Sequence, residues 1–295
     1  MTATAEVLDQ VVLAEPPRLG RLYARAMAES RMPRSAALPA TEVVLDDVHV
    51  DVEHLAAYDE VCGFRLTDAL PATYPHVLGF PLQMQLMASR TFPLALPGLV
   101  HVRNTIDVER PVRWDEPLQV RVHAEELRAH PKGTQVDLVT DVTASGEPVW
   151  TGHSTYLARG VSIGTPSDDE VVGPDPAVDE AGGRASAVWR VPKETGRRYA
   201  AVSGDVNPIH LNPWAAKAFG FPRAIAHGMW AKARCLAALE GRLPDAFRVD
   251  VSFRKPLLLP STAELRESRQ DDGWRMRLSA RRGDLTHLLA AITPL

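Results

Sequence analysis

The sequence contains little cysteine and no long apolar run. Among its 295 residues there are two cysteines, Cys62 and Cys235. Neither belongs to a Cys-x-x-Cys pair or to a histidine and cysteine cluster with metal-ligand spacing, so we expect two reduced, small apolar side chains and no metal site. No apolar run approaches the roughly 18 residues that a membrane-spanning helix needs, which predicts a chain without such a span.

The chain also lacks an excess of positive charge and a targeting signal. Its formal net charge is −4 at pH 7, which argues against a nucleic-acid partner because such partners favour a basic face. Acidic Glu6 and Asp9 stand near the start and no cationic stretch precedes an apolar core, so we expect no signal peptide and a cytoplasmic location. The sequence has no phosphate-binding loop and no nicotinamide fingerprint, and we expect no cofactor.

What the chain does contain is ample material for hydrophobic cores. Hydrophobic residues make up 45% and charged residues 24%, and the length allows one large or two ordinary domains. Alternation predicts strands over 118–127 and 134–143, and helical spacing predicts a buried helix over 82–92 after a proline-broken loop at 71–81. A helix followed by several antiparallel strands is typical of an α+β unit in which a curved sheet wraps one helix.

Shifts in composition divide the chain into four segments. We expect an N-terminal lead over 1–45, a first folded unit over 46–161, an exposed linker rich in Gly, Pro, Asp and Ser over 162–184, and a second folded unit over 185–295. The lead is predicted to hold one short amphipathic helix within 19–32. The apolar face of this helix consists of Leu19, Leu22, Tyr23, Ala26 and Met27.

The two units share a sequence pattern that indicates gene duplication. The stretch 58–63 and the stretch 199–204 both begin with tyrosine, carry valine at the fourth position and end with glycine. The first unit then has Phe64 and Leu66 near the positions of Asp205 and Asn207. We therefore expect a long apolar slot under the first unit that opens to a site in the second. The aromatic residues of the first unit that favour a medium or long ligand chain are Phe64, Phe80 and Phe92.

The most specific stretch of the chain places the carboxylate of Asp205 close in sequence to the imidazole of His210. Between them, Asn207-Pro208 is a turn signal, because proline fixes φ and asparagine tolerates turn geometry. Such a turn can direct both side chains at one small volume, where they can hold and polarise a water molecule or move a proton to and from carbon. A buried hydrogen-bonded pair or a turn cap is the alternative interpretation of the same residues.

A second candidate site residue is Gly228, which precedes a helix rich in Ala and Leu. A glycine at a helix start exposes a backbone N–H, and helix N-termini favour negative charge, so Gly228 is a candidate oxyanion donor. Its neighbour His227 could be a second acid or base. We expect it to be hydrogen-bonded near the site and group it with the substrate-binding residues. Arg254 and Lys255 follow an alternating strand and form a cationic pair that could meet phosphates or remain a solvated strand end.

These motifs resemble those of a known family. The unbroken run Tyr-x-x-Val-Ser-Gly-Asp-x-Asn-Pro-Ile-His at 199–210 resembles the signature of the MaoC-like, or R-specific enoyl-thioester hydratase (hydratase 2), family, which has the hot-dog fold. A degenerate unit joined to a unit with the signature, over about 45–295, resembles the double-hot-dog 3-hydroxyacyl-thioester dehydratases of actinobacterial type. The resemblance implies an α+β double hot dog, in which two curved antiparallel sheets each wrap a central helix.

The resemblance also implies an activity and a role for each residue. The implied activity is reversible hydration of 2-trans-enoyl thioesters and dehydration of (3R)-3-hydroxyacyl thioesters in fatty-acid metabolism. In this interpretation Asp205 and His210 hold the water, and the Gly228 N–H stabilises the developing enolate oxygen. Asn207 and Ser203 support the pair.

The carrier, the oligomeric state and two other functions stay open. The family segment equivalent to Arg254-Lys255 meets phosphates, which implies a thioester of coenzyme A or of acyl carrier protein as the partner. Two hot dogs in one chain are compatible with a monomer and with a homodimer. A thioesterase on the same fold would release free thiol, whereas a non-catalytic acyl-binding subunit would bind without turnover.

Overall fold

The fold consists of two similar halves. The structure, a computed structural model, describes residues 8–163, 184–271, 273–282 and 285–295. The predicted linker over 162–184 lies almost entirely outside these ranges. The elements of the first half, in chain order, are β1 (Asp9–Leu13), α1 (Leu19–Ala28), β2 (Thr41–Val48), α2 (Val52–Cys62), α3 (Tyr74–Ala88), β3 (Leu99–Val108), β4 (Leu118–His130), β5 (Gly133–Ala144) and β6 (Glu147–Arg159).

The second half repeats the arrangement of helices followed by antiparallel strands. Its elements, in chain order, are β7 (Ala187–Val191), α4 (Thr195–Ser203), α5 (Pro208–Leu211), α6 (Pro213–Ala218), α7 (Gly228–Ala237), β8 (Phe247–Phe253), β9 (Ser261–Gln270), β10 (Gly273–Ala280) and β11 (Thr286–Pro294). None of the helices in the described ranges is long and apolar enough to cross a membrane. The predicted limits of the four segments stay a prediction, and β2 crosses the limit placed at residue 45.

The strands of the described residues form one sheet with the order β1-β2-β4-β5-β6-β3-β8-β11-β10-β9-β7. Its centre is the antiparallel pair β3 and β8, in which Ile106 lies opposite Val249. Each half contributes five consecutive strands, and β1 adds a parallel edge beside β2. The two curved sheets that we expected are therefore continuous with each other across the middle of the molecule.

Two equivalent helices confirm that the halves are related in structure. α2 ends at Gly63 and α4 ends at Gly204, and both glycines adopt the left-handed conformation, with φ of 81° and 70°. Each thus ends its helix at a position where other residues are strained. The rings of Tyr58 and Tyr199, which match in the repeat, lie 6.3 Å apart between the two helices. This geometry supports the predicted duplication.

The central helix of the first half is longer than predicted. The expected loop at 71–81 is wrong over most of its length, because α3 begins at Tyr74 and includes Pro75 and Pro81. Pro75 lies in the first turn, where its missing N–H has no helical partner to lose. Pro81 lies inside the helix, where proline is unfavourable. Nearly every other side chain of α3 is buried against the sheet and α1, and this burial outweighs the local penalty.

A buried lysine joins α7 to the strands of both halves. Lys232 has no exposed surface, and its ammonium contacts the carbonyl oxygens of Asn104 in β3 and Val249 in β8 at 3.0 and 3.3 Å. It also donates to the side-chain oxygen of Asn104. Three acceptors match the three donors of an ammonium group, which is the condition for burying it. The contact fixes α7 over the centre of the sheet, where the site lies.

Candidate active site

The signature stretch forms a helix end, a turn and a short helix. At Gly204 a side chain would come within 2.3 Å of Leu19 in α1, so glycine is required both for close approach and for its positive φ. The side chain of Asn207 accepts the Ile209 N–H at 3.3 Å and caps α5, which Pro208 begins. α5 carries His210, so the Asn-Pro turn brings the imidazole back toward the end of α4.

Hydrogen bonds with the N-terminal segment and with the signature stretch itself orient Asp205. The hydroxyl of Tyr23 donates to Asp205 Oδ1 at 2.8 Å, and the N–H of Asn207 donates to the same oxygen at 3.1 Å. Ser203 accepts the backbone N–H of Asp205 at 3.2 Å. Asn207 and Ser203 thus contact Asp205, as a supporting role requires. Helical spacing put Tyr23 on an apolar helix face, but no signal in the sequence linked it to this site.

Of the two ring nitrogens of His210, only Nδ1 has a hydrogen-bond partner among the described residues. Its Nδ1 lies 2.9 Å from the carbonyl oxygen of Ile225. A carbonyl oxygen only accepts hydrogen bonds, so Nδ1 carries the proton and, in the neutral ring, Nε2 carries the lone pair. His210 is buried, and one of its ring nitrogens lies within 4.8 Å of a carboxylate oxygen of Asp205. A water molecule between the two would therefore meet an imidazole acceptor and a carboxylate acceptor.

His227 holds the turn closed. Its Nε2 donates to the backbone oxygen of Asp205 at 2.9 Å, and its ring stacks on that of His210 with centroids 3.7 Å apart. The remaining nitrogen, Nδ1, is enclosed and has no hydrogen-bond partner among the described residues. A hydrogen bond of His227 near the site, as predicted, is present. His227 also lines the cavity, so contact with substrate stays a prediction.

The buried site favours an ionised Asp205 beside neutral imidazoles. Burial alone would raise the pKa of Asp205, but the two histidines, the Tyr23 hydroxyl and a backbone N–H hold it below its usual value. Burial lowers the pKa of His210, and Asp205 opposes this shift in part. Burial also lowers the pKa of His227 to about 3, and the adjacent His210 adds to the effect. At neutral pH the site therefore contains one carboxylate and two neutral rings.

Gly228 begins α7 directly beside these groups. His227 occupies the N-cap position without capping the helix through its side chain. The first N–H groups of a helix have no intrahelical partner, and the helix end favours negative charge. A Cβ at Gly228 would lie 3.0 Å from the ring of Phe253, which also lines the cavity. The absence of a side chain thus keeps the approach to this N–H open for an oxygen atom.

Comparison with known proteins shows the family to which the chain belongs. A family model described as a MaoC like domain matches residues 180–286. The 3-hydroxyacyl-thioester dehydratase X of Mycobacterium tuberculosis is 41% identical over 273 residues, which cover 92% of this chain and 95% of that protein. The chain belongs to the MaoC-like dehydratase family.

Solved structures identify the fold of this MaoC-like protein. The crystal structure of HtdX of Mycobacterium tuberculosis has a TM-score of 0.75 at 40% identity and covers 86% of this chain and 100% of that one. Another Mycobacterium tuberculosis protein, described as having a double hotdog fold, has a TM-score of 0.54 at 15% identity and covers 85% of this chain and 95% of that one. This second likeness concerns the fold alone. The predicted α+β double hot dog is confirmed.

A cavity of about 660 Å³ adjoins the MaoC-like site. Its volume falls within the range of small-molecule sites. The exposed side chains of Arg254 and Lys255 line its outer end, and their contact with a carrier stays a prediction. The buried Phe80 of the first half lines its inner end. The cavity therefore extends from the signature half into the half that lacks the signature.

The predicted apolar slot is wrong in its lining. Phe64 lies against Tyr58 and Leu66 is mostly exposed, and neither of them lines the cavity. The expectation failed because the side chains that line this part of the cavity come from α3 and the sheet. The loss of Asp and Asn after α2 does not determine which residues those elements contribute. The first half lines its inner end with both apolar and polar side chains. The polar ones include His76, His101 and Tyr156.

Three residues of the signature half, Asp205, His210 and His227, have side chains of the types that bind metal ions. Within the described ranges, one ligand atom from each of Asp205, His210 and His227 lies within 4.8 Å of the others. However, one nitrogen of each histidine is engaged by a backbone oxygen, and a metal ion would occupy the volume between Asp205 and His210 where a water is needed. The expectation that the reaction needs no metal stays a prediction.

Proposed function

We propose that this MaoC-like protein dehydrates 3-hydroxyacyl thioesters to 2-trans-enoyl thioesters and catalyses the reverse hydration. The observation that carries the proposal is the convergence of the Asp205 carboxylate and the His210 imidazole beside the N–H of Gly228. A thioester carbonyl makes the C2 proton acidic and opens C3 to attack by water. Two proton acceptors for the water and one donor for the carbonyl oxygen match these requirements.

In the hydration direction, Asp205 and His210 hold one water molecule against C3. His210 Nε2 takes a proton from this water as its oxygen bonds to C3. The electron pair of the double bond moves through C2 to the carbonyl oxygen, where the Gly228 N–H stabilises the negative charge. The imidazolium, held beside the Asp205 carboxylate, then gives its proton to C2 and the carbonyl re-forms.

Dehydration follows the same steps in reverse. His210 Nε2 removes the C2 proton, Gly228 stabilises the enolate oxygen, and the protonated ring gives its proton to the leaving hydroxyl group at C3. Each cycle returns the imidazole to its neutral state, so no further acid or base is needed. The (3R) stereochemistry rests on the family resemblance. The proton transfer belongs to the coupled pair, in which Asp205 stabilises the charged form of His210.

The carrier of the acyl group is a phosphate-bearing thiol. Arg254 and Lys255 line the outer end of the cavity, and the exposed cations Lys132 and Arg159 of the first half also belong to its lining. Such groups suit the phosphates of coenzyme A or of the phosphopantetheine arm of acyl carrier protein.

The free, buried Cys62 and Cys235 support a reducing compartment such as the cytoplasm. Light scattering would distinguish a monomer from a homodimer.

The two alternative functions predict different products. A thioesterase would direct the activated water at the carbonyl carbon and release free thiol. A non-catalytic subunit would bind acyl thioesters without converting them. The neutral Nε2 of His210 and the ionised Asp205 favour a catalytic role, because acyl binding alone does not require two proton acceptors around one water.

The experiment is a hydration assay of the purified protein. We would offer 2-trans-enoyl-coenzyme A thioesters from short to long chains and follow the conjugated double bond and free thiol at the same time. Loss of the double bond without thiol release supports the proposal, and the rates across the series give the chain length. Thiol release would identify a thioesterase. If no thioester of coenzyme A or acyl carrier protein is converted by the folded protein, the proposal is wrong.

A further inference from the structure

A cluster of polar side chains lies at the inner end of the cavity, in the half without the signature. His76 is on the first turn of α3, and His101 on β3 lies opposite Tyr156 on β6. The rings of His101 and Tyr156 stack with centroids 4.7 Å apart, and the ring of His76 lies 6.1 Å from that of His101. All three side chains line the cavity. An acyl chamber that holds only hydrocarbon has no use for such groups.

His101 has hydrogen-bonding capacity that the protein leaves unused. Its Nε2 is enclosed and has no partner among the residues that the structure describes. A buried polar atom without a partner is unfavourable, so a ligand that supplies one gains binding free energy. The hydroxyl of Tyr156 is only weakly engaged, since it lies 3.4 Å from Oε1 of Gln83. Two polar groups on adjacent strands are thus available to one ligand atom.

The chemistry of the cluster favours an uncharged partner that both donates and accepts. Burial, together with the charge of Lys232, lowers the pKa of His76 to about 4. Burial and the neighbouring His76 lower the pKa of His101 to about 3. Both rings are neutral at pH 7, and a neutral imidazole has one donor and one acceptor nitrogen. A hydroxyl group pairs with either nitrogen, whereas none of the three side chains of the cluster is a cation that would pair with a carboxylate.

The ring of Phe253 contacts both this cluster and the position of Gly228. The ring of Phe253 lies beside Gly228, and a Cβ added to Gly228 would be 3.0 Å from this ring. The same ring meets that of His101 edge-on, with centroids 5.1 Å apart. Because the cavity lining runs from Gly228 past Phe253 to His101, an acyl chain whose carbonyl lies at Gly228 and which extends into the first half would pass His101.

We propose that His101, with His76 and Tyr156, forms a subsite for a hydroxyl group on the acyl chain, so that preferred substrates are thioesters with a second oxygen beyond C3. The inference rests on the proposed function and adds a substrate class to it. The half without the signature then has a positive role, because it selects the acyl chain that the other half converts.

The test compares substrate pairs on one enzyme sample. Each pair consists of two 2-trans-enoyl-coenzyme A thioesters of equal length, one unsubstituted and one with a hydroxyl group at a single carbon between C5 and C9. At the best position, we expect kcat/KM for the hydroxylated member to exceed that of its partner about tenfold or more. His101→Phe should bring the ratio close to one. His101→Gln, which keeps a polar atom near the position of Nε2, should retain part of the preference.

The ratio is insensitive to partial unfolding, since a loss of folded enzyme lowers both rates equally. An active wild-type enzyme without preference at any position would overturn the subsite, as would a preference that His101→Phe leaves unchanged. A stronger preference for a terminal carboxylate would overturn it too. If neither member of any pair is converted, the proposed function fails. In that case, calorimetry would measure the binding of the same pairs to wild type and to His101→Phe. This comparison tests the subsite without relying on turnover.

Discussion

Tyr23 and Asp205 are 182 residues apart in the chain and are joined by a hydrogen bond of 2.8 Å. The tyrosine hydroxyl donates to Oδ1 of the carboxylate, while Oδ2 lies 3.8 Å from Nε2 of His227. One carboxylate oxygen is thereby fixed by α1, a helix of the N-terminal segment. The consequence is that this segment completes the active site of the distant signature half.

Replacing Tyr23 by Phe should impair catalysis without unfolding the protein. The substitution removes a hydrogen bond to a charged group, and such bonds contribute about 1.5–3 kcal/mol, so we expect kcat to fall about tenfold to a hundredfold. The same bond helps to lower the pKa of Asp205. Its loss should therefore raise that pKa and move the acid limb of the pH profile of kcat/KM to higher pH. Steady-state kinetics across pH would measure both effects.

The matched control for this variant is Tyr58→Phe. The hydroxyl of Tyr58 also donates a buried hydrogen bond of 2.8 Å, but to Thr73, and Tyr58 does not line the cavity. Its loss should lower the melting temperature while kcat and the pH profile stay unchanged. Equal losses of kcat in the two variants would mean that Tyr23 acts through stability alone.

Replacing Gly228 by Ala should reduce activity by obstructing the oxyanion position. The new methyl group would lie 3.0 Å from the ring of Phe253, so the ring must shift into the cavity or the methyl must crowd the substrate oxygen. Loss of one oxyanion donor costs about 10²–10³ in kcat. Gly20→Ala is the control, because Gly20 lies in the first turn of α1 with no atom within 4 Å of a new Cβ. It should stabilise α1 slightly and leave activity intact.

Arg254→Ala and Lys255→Ala should weaken the binding of the carrier rather than the chemical step. We expect KM for an enoyl-coenzyme A to rise severalfold, with a weaker dependence on ionic strength, while kcat changes little. An enoyl thioester of N-acetylcysteamine, which has no phosphate, should show no change. Lys193→Ala removes an exposed cation that does not line the cavity, and its KM should match wild type. Equal changes with both carriers would contradict the assignment.

Buried neutral histidines should make the protein less stable as the pH falls. Histidine in an unfolded chain titrates near 6.5, whereas in the fold the pKa values of His76, His101 and His227 are about 4, 3 and 3. Unfolding therefore takes up protons below pH 6.5. The stability that these residues contribute is complete above pH 6.5 and is lost as the pH falls toward 4.

Urea denaturation at pH 7, 6 and 5 would measure this loss. Ordinary carboxyl groups titrate below this window. Burial raises the pKa of Asp59 to about 7, so this one carboxyl group opposes the histidines by up to one proton. We expect the free energy of unfolding to decrease across the window, and His76→Gln to reduce the slope by about one proton. The same slope in wild type and in His76→Gln would show that folding does not lower the pKa of His76.

Much of the fold could be predicted because it is encoded locally. The alternation over 118–127 and 134–143 correctly indicated β4, in which buried and half-buried side chains alternate from Leu118 to Ala124, and β5, in which most side chains are buried. β9 was missed, since only Ala263 and Leu265 are buried along its ten residues and polar side chains fill the rest. Its pairing with β7 and β10, which no local pattern records, keeps it in the sheet.

The candidate site could be predicted only where its residues are close in sequence. Asp205, His210 and the turn between them form one continuous motif, and Gly228 was indicated by its place before a helix. Tyr23 could not be predicted, because helical spacing describes one face of α1 and not the partner that the face meets. The polar cluster of His76, His101 and Tyr156 was missed for the same reason, since three separate elements bring its members together.

The central claim is that Asp205 and His210 add water to C3 of an enoyl thioester. Its most direct test is to incubate an enoyl-coenzyme A with the enzyme in H₂¹⁸O and to analyse the thioester by mass spectrometry, with Asp205→Asn beside the wild type. Wild type should place one ¹⁸O at C3 of an intact 3-hydroxyacyl thioester, and Asp205→Asn should place almost none. Label in a free carboxylate, or full incorporation by Asp205→Asn, would contradict the account.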